Sequence, residues 1–253
     1  MKIFASDFDG TLRRYDKAVP YILPGDIDAI ASFRKAGNLF GMCSGRAFHS
    51  ILIEQKGIPT ADFYIVTTGA IIGRVNEGKM EMLMEKTFSR DCAEELYQLY
   101  GNEKVFYVHM DGYLYRIGHS EGGETAQIFI PSFAELPEGN IEGVSVGTDS
   151  MDTAARITKA INAQFGHEVN AFQNNDYLDM VAAGCSKGEG VKSLRKLYDA
   201  ELIGGIGDSF NDIPLLDAAD VSFTFDFSPE EVKAHADHVV KSVEEALDIF
   251  MKM

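Results

Sequence analysis

The sequence predicts an α/β protein: a largely parallel sheet covered by helices on both faces, with an α+β block inserted partway along the chain. Three observations predict it. Short, continuous apolar runs alternate with amphipathic stretches near both ends of the chain, as expected for strands buried on both faces. The middle of the chain instead carries hairpin signals. Polar clusters follow directly on several apolar runs, where an open parallel sheet binds its ligands.

Lys2-Ile3-Phe4-Ala5-Ser6 reads as the first buried strand, followed at once by Asp7-Phe8-Asp9-Gly10-Thr11-Leu12. The stretch from Arg13 to Tyr21 is polar and loop-like. Pro24 opens a predicted helix with Ile27, Ile30, Ala31 and Phe33 on one stripe, and Gly37 ends it. Leu39 to Cys43 predicts a second strand, with Ser44-Gly45-Arg46 behind it. A helix is expected over 47–56 with Gly57 as its stop, then a third strand over 63–66.

From Ala70 the rhythm changes. Residues 70–75 and 80–84 predict an antiparallel pair around Asn76-Glu77-Gly78. A helix is expected over 91–100. Strands over 105–110 and 113–117 flank Asp111-Gly112, a hairpin turn pair. Residues 118–138 show no clear period. A strand over 141–147, a helix over 149–165 and two strands around Asn174-Asn175 complete the block. The parallel rhythm resumes at Lys187. A helix runs to about Ala200, a strand covers 202–206, and Gly207-Asp208-Ser209-Phe210-Asn211-Asp212 leads into a helix through Leu215 and Leu216. A strand over 221–225, apolar Val239-Val240 and a closing helix over 243–250 finish the alternation.

The clusters Asp7/Asp9, Ser44-Gly45-Arg46 and Asp208 to Asp212 all follow strands, and Lys187 opens a helix. Alone, each also fits a turn, a helix cap or a solvated charge. Together they describe a site for phosphoryl transfer. Asp7, Asp9 and Asp208 offer hard oxygen ligands suited to Mg²⁺. Ser44, the backbone N–H groups after it, and Lys187 offer donors and charge for phosphate oxygens. A carboxylate can attack phosphorus, and a second acid can protonate the leaving alkoxide and then activate water.

The 253 residues carry 39 acids against 23 bases, a net charge of −16, which argues against nucleic acid or an anionic membrane as partner. No apolar run approaches the roughly 20 residues of a membrane span. The three cysteines, Cys43, Cys92 and Cys185, are scattered, as expected for free thiols in a reducing compartment. A cytoplasmic protein is expected.

Asp7-Phe8-Asp9-Gly10-Thr11-Leu12, Ser44-Gly45-Arg46, Lys187-Gly188 and Gly207 to Asp212 resemble, in order, the four motifs of the haloacid dehalogenase (HAD) superfamily. The long insert before Lys187 resembles its Cof-type branch with a C2 cap. The resemblance implies a Rossmann-like core over 1–83 and 185–253 and a cap over 84–184. It implies that Asp7 is nucleophile and metal ligand, and that Asp9 is general acid/base with its carbonyl on the metal. Asp208 would ligate Mg²⁺, with Asp212 at one remove. Ser44, Gly45, Lys187, Asn211, Gly10 and Thr11 would serve the phosphate, Thr11 also holding Asp9 and Lys187 also restraining Asp7.

The implied activity is Mg²⁺-dependent hydrolysis of a small phosphorylated metabolite, a sugar phosphate or similar, through an aspartyl-phosphate. Transfer to a sugar by a phosphomutase, or a slow metabolite-binding regulator, are the alternatives. Thr68-Gly69-Ala70 departs from the Asn-Gly-Ala of many Cof-type members, which removes an amide from the site. Arg13-Arg14 stands where an apolar residue is usual. It reads as loop charge, or as an arginine facing the cap crevice that favours a second anionic group. His109, Tyr115, Arg116, Asn174 and Asn175 are candidate substrate contacts in the cap.

Overall fold

The structure is a computed structural model that describes residues 1–55, 60–77, 79–118 and 127–253. The first part of the chain gives β1 (Lys2–Ser6), α1 (Pro24–Lys35), β2 (Leu39–Cys43), α2 (Phe48–Glu54), β3 (Phe63–Val66), β4 (Ile71–Asn76) and β5 (Lys79–Glu85). The insert follows with α3 (Arg90–Tyr100), β6 (Val105–Met110), β7 (Tyr113–Ile117), β8 (Gln127–Ile130), β9 (Ile141–Gly147), α4 (Met151–Phe165), β10 (Val169–Asn174) and β11 (Tyr177–Ala182). The last part gives α5 (Lys187–Tyr198), β12 (Leu202–Ile206), α6 (Ile213–Ala218), β13 (Val221–Phe225), α7 (Glu230–Lys233), β14 (His238–Val240) and α8 (Val243–Met251).

Among the described residues the first sheet runs β14-β13-β12-β1-β2-β3-β4-β5. Its strands pair in parallel from β14 to β3, and β4 and β5 add an antiparallel edge. Alternation along each strand sorts side chains to the two faces. Ile3 and Ala5 pack with Ile65, Val191, Leu194 and Leu215 under α5 and α6. Phe4 packs on the other face with Phe33, Phe40, Phe223 and Phe250, its ring 5.4 Å from that of Phe250. Both faces are therefore apolar, which is why these strands read as continuous apolar runs.

The second sheet runs β10-β11-β9-β6-β7-β8. One face carries Phe106, Val108, Val144, Val146, Leu178 and Met180, packed on Leu96 of α3 and Ala154, Ile157 and Ile161 of α4. Ser150 caps α4 by accepting from the Thr153 N–H at 3.2 Å. Strand β8 lies in the stretch where the sequence shows no period. It is a four-residue run, Gln127-Ile128-Phe129-Ile130, that pairs in parallel with β7. The helix stop expected at Gly57 and the turn residue Gly78 lie outside the described residues.

The insert rests on the first sheet's helical layer through its hairpin tip. The Gly112 carbonyl accepts from the His49 N–H at 2.9 Å, and the Tyr113 and His49 rings lie 4.4 Å apart. The three cysteines are free and buried.

Candidate active site

Register brings the motifs together. β1 lies between β12 and β2, with Ser6 opposite both Ile206 and Met42. The chain leaves all three strands at one edge, so Asp7, Ser44 and Asp208 emerge side by side. The Asp7 N–H donates to the Ile206 carbonyl at 2.9 Å, and the Ser44 N–H to that of Ile65 at 2.8 Å. Lys187, first residue of α5, enters from beneath.

Lys187 is fully buried. Its Nζ donates to Asp7 Oδ1 at 2.7 Å and to Asp212 Oδ1 at 2.6 Å. Burial alone would lower its pKa; Asp212 and Asp7 outweigh it and hold the ammonium well above its usual range. Asp212 Oδ2 accepts from the N–H groups of Asp208 and Ser209, each at 3.0 Å. Thr11 Oγ1 donates to Asp208 Oδ1 at 2.7 Å. Thr11 therefore holds Asp208, where the sequence expectation had it holding Asp9.

Asp7, Asp208 and Asp212 each offer a ligand oxygen within 4.8 Å of the others. Three carboxylates face one lysine, so the cluster is short of positive charge. Burial first, then the charges of Asp212 and Asp208, push the Asp7 carboxyl well above its ordinary pKa against the pull of Lys187. Burial and Asp212 push Asp208 up to about 6. Asp7 Oδ2 is buried without a hydrogen-bond partner. Gly10, at φ +87°, leaves room for this cluster: a Cβ there would stand 2.5 Å from Asp208 Oδ2. Three close carboxylates facing one lysine fit a hard divalent cation such as Mg²⁺.

Asp9 faces elsewhere in the site. Arg46 Nε donates to its Oδ2 at 2.6 Å and Nη2 to its Oδ1 at 2.8 Å, and the Tyr15 hydroxyl also donates to Oδ1. Burial pushes the Asp9 carboxyl up, but these partners outweigh it and hold it below its ordinary value.

The strand ends open into a cavity of about 430 Å³ between the two sheets. Its lower wall includes Asp7, Asp9, Gly10, Ser44, Gly45, Asp208, Asn211 and Asp212. Its upper wall includes Tyr107, His109, Ser145, Asn174, Asn175 and Asp179. The loop beyond β3 packs behind the Ser44-Gly45-Arg46 loop. Thr67 and Thr68 both take positive φ, 47° and 49°, an uncommon conformation for β-branched residues. Their N–H groups donate to the carbonyls of Arg46 and Ser44 at 2.9 and 3.1 Å, fastening the Ser44-Gly45-Arg46 loop. Backbone strain of this kind concentrates at functional sites. The buried Thr68 hydroxyl stands beside the Asp179 carboxyl.

The model of the haloacid dehalogenase-like hydrolases matches residues 4–247. The chain belongs to the haloacid dehalogenase-like hydrolase family.

The chain is 24% identical over 274 aligned residues to a candidate phosphatase of Mycoplasma pneumoniae, covering 93% of this chain and 89% of that one. Two solved structures share the fold. One is a sugar phosphatase of HAD subclass IIB, at TM-score 0.82 and 18% identity over all of both chains. The other is a HAD/COF-like hydrolase from Plasmodium vivax, at TM-score 0.82 and 21% identity over 99% of this chain and 96% of that one. The order of elements, with the inserted α+β block between the second and third motifs, agrees with the Cof-type expectation.

Several side chains stand where the sequence did not point. Neither arginine after the first motif lines the cavity, in keeping with the loop-charge reading rather than with the alternative that one of them faces the crevice. Arg13 pairs with Glu54 and lies over the Phe8 and Tyr15 rings. Arg14 donates to the Lys241 carbonyl at 3.0 Å and lies over Phe225 and Phe227. A carboxylate and two rings thus hold the Arg13 guanidinium, and a carbonyl and two rings that of Arg14. Of the candidate cap contacts, His109, Asn174 and Asn175 line the cavity, and Tyr115 and Arg116 do not. Tyr15, Tyr107, Ser145 and Asp179 line it without having been singled out, and Arg46 lines it as part of the Ser44-Gly45-Arg46 cluster. For Tyr107, Ser145 and Asp179 the signal was a polar residue at alternate positions of apolar strands, as in Val144-Ser145-Val146. No helix among the described residues is long and apolar enough to cross a membrane.

Proposed function

We propose that the protein is a Mg²⁺-dependent phosphatase that hydrolyses a small phosphorylated metabolite through an aspartyl-phosphate on Asp7. The observation that carries this reading is the asymmetry of the Asp7 carboxylate. Oδ1 is held by Lys187 at 2.7 Å, while Oδ2 is buried and unpartnered at the cavity wall. A nucleophile held by one oxygen and free at the other is oriented for in-line attack.

Asp7, Asp208 and Asp212 would hold the Mg²⁺, which neutralises charge on the transferring phosphoryl group when bound. Asp7 Oδ2 bonds to phosphorus as the P–O bond to the leaving group breaks. Protonation of the departing alkoxide falls to Asp9, which must first take up a proton, because Arg46 and Tyr15 hold it ionised in the structure. Ser44 Oγ accepts from the Arg46 N–H at 3.2 Å, so its own hydrogen is free for a phosphoryl oxygen. Asn211, buried at the cavity wall, offers an amide to the same group. Water then attacks phosphorus, Asp9 takes a proton from it, and the bond to Asp7 Oδ2 breaks to release inorganic phosphate.

Release of inorganic phosphate from a panel of phosphate esters tests the reading, with Asp7→Asn as control. The variant is expected to keep its circular dichroism and to lose at least about a thousandfold in kcat. An active Asp7→Asn enzyme would refute the nucleophile. Isomerised sugar phosphate in place of free phosphate would reassign the protein as a phosphomutase.

A further inference from the structure

The upper wall of the cavity is one row of the second sheet. Tyr107 on β6, Ser145 on β9 and Asp179 on β11 are direct cross-strand partners, so their side chains stand on one face. That face is opposite the apolar cluster under α3 and α4. His109 lies two residues along β6 from Tyr107, on the same face. His109, Ser145 and Asp179 are 4%, 7% and 7% exposed, and all three line the cavity.

Their hydrogen bonds leave a specific deficit. Ser145 Oγ donates to Asp179 Oδ1 at 2.6 Å, which uses its only hydrogen. The 2.9 Å contact between Ser145 Oγ and His109 Nε2 is therefore donated by Nε2–H. The other ring nitrogen, Nδ1, is then an acceptor. Burial pushes the His109 imidazole down to about 4, in keeping with a neutral ring. His109 Nδ1 and Gln127 Oε1 lack a hydrogen-bond partner, Asp179 Oδ2 makes no well-formed bond although the Asn174 and Thr68 side chains stand near its carboxyl, and all three residues line the cavity. Buried acceptors without donors are costly, and natural interiors rarely keep them together. A ligand rich in O–H donors would satisfy them.

The charges point the same way. Among the described lining residues Arg46 is the only cation, and Asp9 already occupies it. Burial pushes the Asp179 carboxyl above its ordinary value against the pull of Ser145 and Lys187, so a second phosphate or carboxylate on the leaving group would bring further negative charge to a carboxylate already costly to ionise. The position is close to the chemistry: a Cβ on Gly45 would stand 2.9 Å from Asp179 Oδ2, so the cap carboxylate lies against the Ser44-Gly45-Arg46 loop.

We propose that Asp179, fixed by Ser145 and His109, selects the leaving group: it accepts hydroxyl donors of an uncharged polyol and turns away a leaving group with a second anion. This rests on the phosphatase reading above and adds to it the residue that decides specificity.

The test compares kcat/KM for a hexose monophosphate, its deoxy analogues, a hexose bisphosphate and nitrophenyl phosphate, whose leaving group has no hydroxyl donors to offer. The wild type is expected to favour the hexose monophosphate over the bisphosphate and over at least one deoxy analogue. In Asp179→Asn, the ratio of hexose monophosphate to nitrophenyl phosphate should fall at least about tenfold, chiefly through KM. Discrimination against the bisphosphate should narrow. Ser145→Ala, which frees Asp179 to turn, should lower the same ratio by less, and it carries the test alone if Asp179→Asn fails to fold. Equal losses on hexose and nitrophenyl esters in folded variants would overturn the proposal, as would a wild type that prefers the bisphosphate. Absence of phosphate release from every ester by the wild type would instead remove the phosphatase reading, and this proposal with it.

Discussion

Arg46 grips both carboxylate oxygens of Asp9, at 2.6 Å through Nε and 2.8 Å through Nη2. Together with the Tyr15 hydroxyl, this pair overcomes the effect of burial and keeps Asp9 ionised below its ordinary pKa. In the structure Asp9 is thus set as the base of the second step, ready to take a proton from water. A carboxyl held low by a neighbour keeps its proton to higher pH once that neighbour is removed. Arg46→Gln is therefore expected to move the acidic limb of the kcat profile upward. Tyr15→Phe should move it less, in the same direction. The measurement is phosphate release across pH; an unmoved limb in Arg46→Gln would disconnect Asp9 from that step.

Lys187 sits between two carboxylates that are themselves almost fully buried, Asp7 at 7% and Asp212 at 1% side-chain exposure. Lys187→Met leaves both without their cation. The expected loss is about 3–5 kcal/mol of stability, because a broken buried pair strands its partner charge. Urea unfolding measures it. The deficit should shrink as pH falls, since protonated carboxyls no longer need the ammonium. A loss below about 1 kcal/mol at neutral pH would show that the carboxylates find other compensation.

How much of this was legible in the sequence follows from contiguity. Asp7 and Asp9, Ser44 to Arg46, and Asp208 to Asp212 each occupy one short stretch behind an apolar run, so the strand end and its polar cluster are read together. The cap wall is built differently. Tyr107, Ser145 and Asp179 come from three strands and meet only through register, which alternation alone does not fix between strands. Thr11 illustrates a smaller limit. It lies two residues beyond Asp9, yet the turn at Gly10 sends its hydroxyl to Asp208. The two arginines at 13 and 14 were visible as charge, but their aromatic and acidic partners, Phe225, Phe227 and Glu54, lie far along the chain.

The carboxylate cluster makes a prediction about metal that does not require turnover. Asp7 and Asp208 are both pushed above their ordinary pKa by burial and by neighbouring carboxylates, so a bound divalent cation relieves the folded state. Mg²⁺ is expected to raise the melting temperature, by an amount corresponding to about 2.7 kcal/mol when the ion stands at 100 times its Kd. Asp208→Asn should blunt that rise. Chelation should abolish phosphate release and added Mg²⁺ should restore it. A melting temperature indifferent to Mg²⁺, Ca²⁺ and Mn²⁺ would exclude the cluster as a divalent site.

Glu142 on β9 ties the insert's hairpin tip, accepting from the Gly112 N–H at 2.8 Å with the Glu85 carboxyl beside it. Burial, then the nearby Glu85 and Asp111, push its carboxyl up to about 8. Between its ordinary value of 4.5 and 8, the folded chain therefore holds a proton that the unfolded chain has lost. Stability from this group is full below the unfolded value and declines as pH rises through the folded one. Glu142→Gln keeps an oxygen for the Gly112 N–H and removes the titration. Wild type and variant should melt together near the ordinary glutamate pKa. The variant should then gain as pH rises, by a few kcal/mol once pH exceeds the folded value. Thermal melts across that range decide it: curves that stay parallel would mean that Glu142 does not carry an extra proton in the folded protein.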